Sequence, residues 1–166
     1  MLLERLIHLL DLHNQEHLKF IELGEQKKEA LISNEVDKLI SIMNMEAKVY
    51  KRVQQLEEDR KEAVQQILQY FGIKSQLNLN LTELTRLFFD PEDKEKLFRA
   101  QSTLAATLLK LKALNELNHQ LLNQVLTYTE FSIESMSYYT DSEATYNHPA
   151  NKSGKVQSPG LFDTRA

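Results

Sequence analysis

The chain has 166 residues, 42% of them hydrophobic and 27% charged, with a formal net charge of −4. It has room for one domain, and its charge balance lacks the basic field of a general nucleic-acid binder. There is no cysteine, so disulfides and thiol catalysis are excluded. Trp is absent, and Gly and Pro number only four and three. With abundant Leu, Glu, Lys and Gln, that scarcity predicts long helices.

A first helix is predicted over residues 2–32. Leu3, Leu6, Leu10, His13, His17, Phe20 and Leu31 share one face, flanked by Ile7, Leu9 and Ile21. Gly24 weakens its middle by about 1 kcal/mol relative to Ala and invites a bend. Glu4, Arg5 and Asp11 interrupt the apolar start, so it does not read as a signal peptide. No run reaches the roughly 20 apolar residues that a membrane span needs. The expectation is a cytoplasmic protein with no membrane insertion.

Ser33-Asn34 then offers a helix cap, with Glu35 and Asp37 in the first turn that follows. A second helix is predicted over 35–71, closed by Gly72 as its left-handed stop. Its expected inner stripe is Val36, Ile40, Met43, Ala47, Tyr50, Val53, Val64, Ile67 and Phe71. The charged run Glu57–Glu62 reads as a solvated face. Asn80-Leu81-Thr82-Glu83 is a capping box that should open a short helix over 82–89. Leu81, Leu84, Leu87 and Phe88 would then plug the end of a bundle.

Asp90-Pro91 starts the longest element, expected over 91–139. Pro suits the first helical position, and the preceding Asp can cap free N–H groups. Leu97, Leu104, Leu108, Leu111, Asn115, Asn118, Leu122, Val125, Ser132, Met136 and Tyr139 form its stripe. Asn115 and Asn118 read as buried polar positions that fix register. From residue 140 the composition changes, with two of the three prolines and two of the four glycines falling in 140–166. That segment reads as a flexible C-terminal tail. The predicted fold is therefore all-α: an elongated antiparallel three-helix bundle or coiled coil over 1–139, with one short extra helix, followed by the tail.

At 1.5 Å per residue the three long helices measure about 46, 55 and 73 Å. Short connections make neighbours antiparallel. The last helix should then overshoot the Ser33-Asn34 turn by roughly 15–20 Å. That overshoot, about Tyr128 to Tyr139, carries Tyr128, Phe131, Ile133, Met136, Tyr138 and Tyr139. Aromatic residues and Met are enriched in interface cores. Met43 belongs to the same end and adds an adaptable surface. These seven residues are the candidate partner-binding set. A purely structural coiled-coil oligomer or adaptor is the alternative.

Two patterns imitate enzyme chemistry. His13-Asn14-Gln15-Glu16-His17 matches H-x-x-E-H, in which two imidazoles one turn apart share a zinc ion. It has no third ligand placed by a motif, and both histidines lie on the apolar stripe. Glu116-Leu117-Asn118-His119 matches the E-x-x-H of di-iron bundles, which need a second copy that this sequence lacks. There is no Gly-rich phosphate loop. The expectation is no enzymatic activity, no metal and no cofactor.

Several of these residues resemble the FlgN-type flagellar export chaperones. Leu31 to Leu39, with Ser33-Asn34-Glu35-Val36-Asp37, looks like that family's first turn. Asn115-Glu116-Leu117-Asn118-His119-Gln120-Leu121-Leu122, with Leu126 and Phe131-Ser132, is similar to its most recognisable helical segment. Thr145-Tyr146 and Leu161-Phe162-Asp163-Thr164-Arg165-Ala166 look like its tail signature. The family often has Gly after the tail tyrosine, where this chain has Asn147. The resemblance implies a non-enzymatic cytoplasmic chaperone, a monomer or weak dimer. Such chaperones hold the C-terminal helices of the hook–filament junction proteins, prevent premature assembly and deliver them to the cytoplasmic domain of the export gate. In the family the C-terminal region carries the client contacts and the tail tyrosine docks at the gate. Here these roles fall on about Tyr128–Tyr139 and on Tyr146.

Overall fold

A computed structural model describes residues 2–73 and 81–144. They form four helices: α1 (Leu2–Ile32), α2 (Val36–Tyr70), the short α3 (Leu81–Thr85) and α4 (Pro91–Ala144). Residues Met1–Leu126 make one compact unit and Thr127–Ala166 a second. α3 ends four residues earlier than its sequence pattern predicts, and α4 runs past Tyr139. Tyr146 and the rest of 145–166 lie outside the described residues, as does Asn80 of the capping box.

Local chemistry sets the boundaries. Asn34 takes the left-handed conformation at φ 53°. The Glu35 N–H then donates to the Ala30 carbonyl at 2.9 Å and the Asn34 N–H to Leu31 at 3.3 Å. This reversed pair of bonds closes α1, so Ser33-Asn34 ends one helix instead of capping the next. Gly72, at φ 72°, ends α2 in the same way. Ile73 N–H reaches the Leu68 carbonyl at 2.9 Å and Gly72 N–H reaches Gln69 at 3.0 Å. Only Gly adopts that φ without a Cβ penalty. Asp90 Oδ1 accepts the Glu92 N–H at 2.9 Å and caps α4 ahead of Pro91.

In the first unit α1 pairs antiparallel with α2, and α4 lies along both. One core gathers Leu3, Leu6, Leu9 and Leu10 of α1 with Val64, Ile67 and Leu68 of α2 and Leu97, Ala100 and Leu104 of α4. Leu84 of α3 is fully buried there, with Leu81, Leu87 and Phe88 packed beside it. A second core joins Leu23 and Ala30 to Ile42 and Val49. Between the two sits a polar layer around His13.

Two stripes differ from the sequence reading. In α4 the buried positions are Leu97, Ala100, Leu104, Thr107, Leu111, Leu114 and Asn118, an unbroken three-four repeat. Leu108 and Asn115 are exposed, so the seam is turned toward Leu114. In the first half of α2 the inner residues are Ile42 and Val49, with Leu39 and Val53 beside them. Val36, Ile40, Met43, Ala47 and Tyr50 face outward. The sequence carries two apolar stripes there at the same spacing, and packing against Leu23 and Ala30 selects the other one.

Gly24 does not interrupt α1, which is continuous through it. It is buried because α4 comes close: a Cβ at that position would stand 2.7 Å from Leu114 Cδ2. Asn118 uses the approach to donate Nδ2–H to the Gly24 carbonyl at 2.7 Å.

Candidate functional site

The candidate set divides between the two units. Tyr128, Phe131, Ile133, Met136 and Tyr138 lie on α4 within Thr127–Ala166, whereas Met43 lies on α2 in Met1–Leu126. The side chain of Tyr139 is outside the described residues.

All five described residues of the α4 group are exposed, from 62% for Ile133 to 79% for Tyr138. Large apolar side chains scattered singly need no explanation, but five within eleven residues form a patch. Three-four spacing puts Tyr128, Phe131 and Tyr138 on one face with Ser135 between them. Ile133 and Met136 fall on another face. The serine hydroxyls turn inward: Ser132 Oγ donates to the Tyr128 carbonyl and Ser137 Oγ to the Glu134 carbonyl, each at 2.8 Å. They satisfy themselves on the backbone and leave the outer faces to aromatic and aliphatic carbon.

Charge adds a second feature. No Lys or Arg occurs between Lys112 and Lys152, while Glu130, Glu134, Asp141 and Glu143 fall inside the second unit's helix. Glu130 and Glu134 share a helical face that borders the aromatic one. The patch therefore has one acidic margin, with no Lys or Arg among the described residues of the second unit. Sequence reasoning missed this margin, although the cation-free run is readable directly.

Met43 sits in a different surface. With Val36, Ile40, Ala47 and Tyr50 it forms the outward stripe of α2, each of its four large residues 54–57% exposed.

The two enzyme-like motifs are otherwise engaged. His13 is buried, and its Nε2 stands 3.8 Å from Glu57 Oε2 without a hydrogen bond. Burial pushes the His13 pKa below the usual imidazole value, and the Leu56 backbone and Glu57 carboxylate only partly oppose this. His17 Nδ1 donates to the His13 carbonyl at 2.7 Å and is thereby tied to the helix backbone. Arg60 grips Glu57 through two bonds, Nε to Oε2 at 2.8 Å and Nη2 to Oε1 at 2.7 Å. That grip holds the Glu57 carboxyl below its usual range. Thr107 Oγ donates to Asn14 Oδ1 at 2.6 Å and ties α4 into the same layer. Glu116 accepts from Gln120 and His119 faces Asn123, both on the surface of α4. Among the described residues no three His, Asp or Glu side chains are grouped to hold a metal ion. No described helix is long and apolar enough to cross a membrane.

The FlgN protein family profile matches residues 1–154 of this chain. The chain belongs to the FlgN family. Membership makes it, in general terms, a flagellar export chaperone of helical build, in a family not known for enzymatic activity. Among curated proteins it is similar to the uncharacterized protein YvyG of Bacillus subtilis (strain 168), with 29% identity over 170 residues, covering 99% of this chain and 97% of that one. No solved structure matches it. The FlgN profile ends in the segment beyond the described residues, so it spans the whole of α4, including the exposed stretch that begins at Tyr128.

Proposed function

We propose that this FlgN-family chain acts in the cytoplasm as the carrier of hook–filament junction proteins. It holds their C-terminal helical segments on α4 around Tyr128, Phe131, Ile133, Met136, Tyr138 and Tyr139, and hands them to the flagellar type III export gate. Tyr146 serves the gate.

The observation that carries this reading is the exposed apolar patch on the last turns of α4. An amphipathic client helix would lay its apolar stripe along one of the two faces. Burying two or three aromatic side chains is worth several kcal/mol at about 25 cal/mol per Å² of apolar surface. The ordering of a client segment offsets part of that gain, which leaves an affinity suited to release.

The test replaces Tyr128, Phe131 and Tyr138 together by Ser in the full chain. Binding of a junction protein's C-terminal helix, measured by calorimetry, should weaken at least tenfold, since truncated interface aromatics commonly cost about 1 kcal/mol or more each. The thermal unfolding of the chain should stay cooperative because all three are exposed. Unchanged client affinity would remove the α4 patch from the mechanism. Separately, Tyr146→Ala should weaken gate binding and spare the client; equal loss of both would contradict two separate sites.

A further inference from the structure

Of the outward stripe of α2 only Met43 belongs to the candidate partner-binding set, and the client reading above rests on α4 without it. Val36, Ile40, Met43, Ala47 and Tyr50 repeat at four, three, four and three residues, the spacing of a coiled-coil seam. Their exposure on a helix whose other face is already packed leaves a second seam in water. At 1.5 Å per residue it runs about 21 Å.

We propose that this seam pairs with the same seam of a second copy of the chain, antiparallel, with the two-fold axis near Asn44. The flanking charges point to that occupant. On one margin of the stripe lie Asp37, Asn44 and Lys51, spaced seven residues apart. All three are exposed. When the helix meets an antiparallel copy of itself, this margin faces its own reverse. Asp37 then meets Lys51 of the second copy, Asn44 meets Asn44, and Lys51 meets Asp37. In a parallel pairing this margin would not face itself, and the reciprocal Asp37–Lys51 match would be lost. The other margin carries Leu39, Glu46 and Val53. Leu39 and Val53 are packed inward against the second core of their own chain, and Glu46 is already neutralised by Lys27 of its own chain at 2.5 Å. Reversal thus maps the exposed Asp37–Lys51 margin onto its own charge complement, which is what an isologous interface requires.

The seam is short, so the contact falls at the small end of specific interfaces and the dimer should dissociate in the micromolar range. Sedimentation equilibrium of the full chain, from about 1 µM to about 1 mM, spans that range. We expect a monomer–dimer equilibrium. Met43→Asp, on an exposed position, should leave the helical circular dichroism unchanged and abolish the dimer. Asp37→Lys and Lys51→Asp should each weaken dimerisation about tenfold, since each variant breaks two symmetry-related pairs and creates two repulsions. The double variant Asp37→Lys/Lys51→Asp should return to within about threefold of the original, because the reversed pairs match again. A chain that stays monomeric throughout overturns the proposal. So does a dimer indifferent to Met43→Asp, or a double variant as weak as the singles. Loss of junction-protein binding on Met43→Asp in a chain that never dimerises would give the stripe to the client instead. None of these results bears on the Tyr128, Phe131 and Tyr138 substitution, so the two readings fail independently.

Discussion

Replacing Asn118 by Leu should make the protein more stable. Asn118 is 4% exposed, and its Nδ2–H donates to the Gly24 carbonyl at 2.7 Å. Its Oδ1 is buried with no donor. The bond that would be lost contributes about 1 kcal/mol net. The Gly24 carbonyl lies inside α1 and keeps its helical partner, so it is not orphaned. Removing the unpaired Oδ1 recovers a desolvation penalty of about 1–3 kcal/mol. Leu shares the branched shape of Asn and adds some apolar burial between Leu114 and the second core. The balance favours Leu by about 1–2 kcal/mol, a rise in Tm of about 2–8 °C for a chain of this size. Urea unfolding followed by circular dichroism measures it as a higher midpoint at unchanged slope. Asn118→Asp is the counterpart: a carboxylate facing the Gly24 carbonyl should cost about 3 kcal/mol or more. A Leu variant less stable than the original by over about 1 kcal/mol would refute the accounting, since the amide would then be contributing more than one bond. The gain should come with weaker alignment of α4 on α1, because a polar group at a seam position fixes register. Faster amide exchange along α4 in the Leu variant would register that loss.

Two further outcomes follow from the core and the polar layer. Leu6→Ala should cost about 3 kcal/mol, read as a lower urea midpoint, because Leu6 is fully buried among Leu3, Leu10 and Ile67 and the site cannot collapse around the void. Stability should fall as the pH is lowered from 7 toward 5. The His13 pKa is depressed in the folded chain, so the unfolded chain binds the proton first once the pH drops below the usual imidazole value of 6.5. The depressed Glu57 carboxyl acts in the same direction at lower pH, below its usual 4.5. His13→Leu should flatten the upper part of this profile in melts run across the pH range; an unchanged profile would mean that other groups set it.

Met43 shows how far sequence pattern reaches and where it stops. The spacing of Val36, Ile40, Met43, Ala47 and Tyr50 marks an apolar face correctly. It does not say whether that face looks inward, because Leu39, Ile42, Val49 and Val53 offer a rival face of similar strength. The same limit turned the expected α4 seam away from Leu108 and Asn115. The exposed aromatics from Tyr128 onward were legible for a different reason: they fall on more than one side of their helix, and a single packed neighbour covers only one.

By itself, the sequence determined the helical class, the stop of α2 and the start of α4, and it marked the turn between α1 and α2. Asn34, Gly72 and Asp90-Pro91 act through φ preference and hydrogen bonds within a few residues, so no distant contact is needed to read them. Tertiary structure alone decided the rotational setting of each helix, and with it the meaning of Gly24. A glycine in a helix looks like a weak point until the opposing Leu114 and Asn118 are in place. It is then the gap that lets two backbones come close, and that fact belongs to residues ninety or more positions away in the chain.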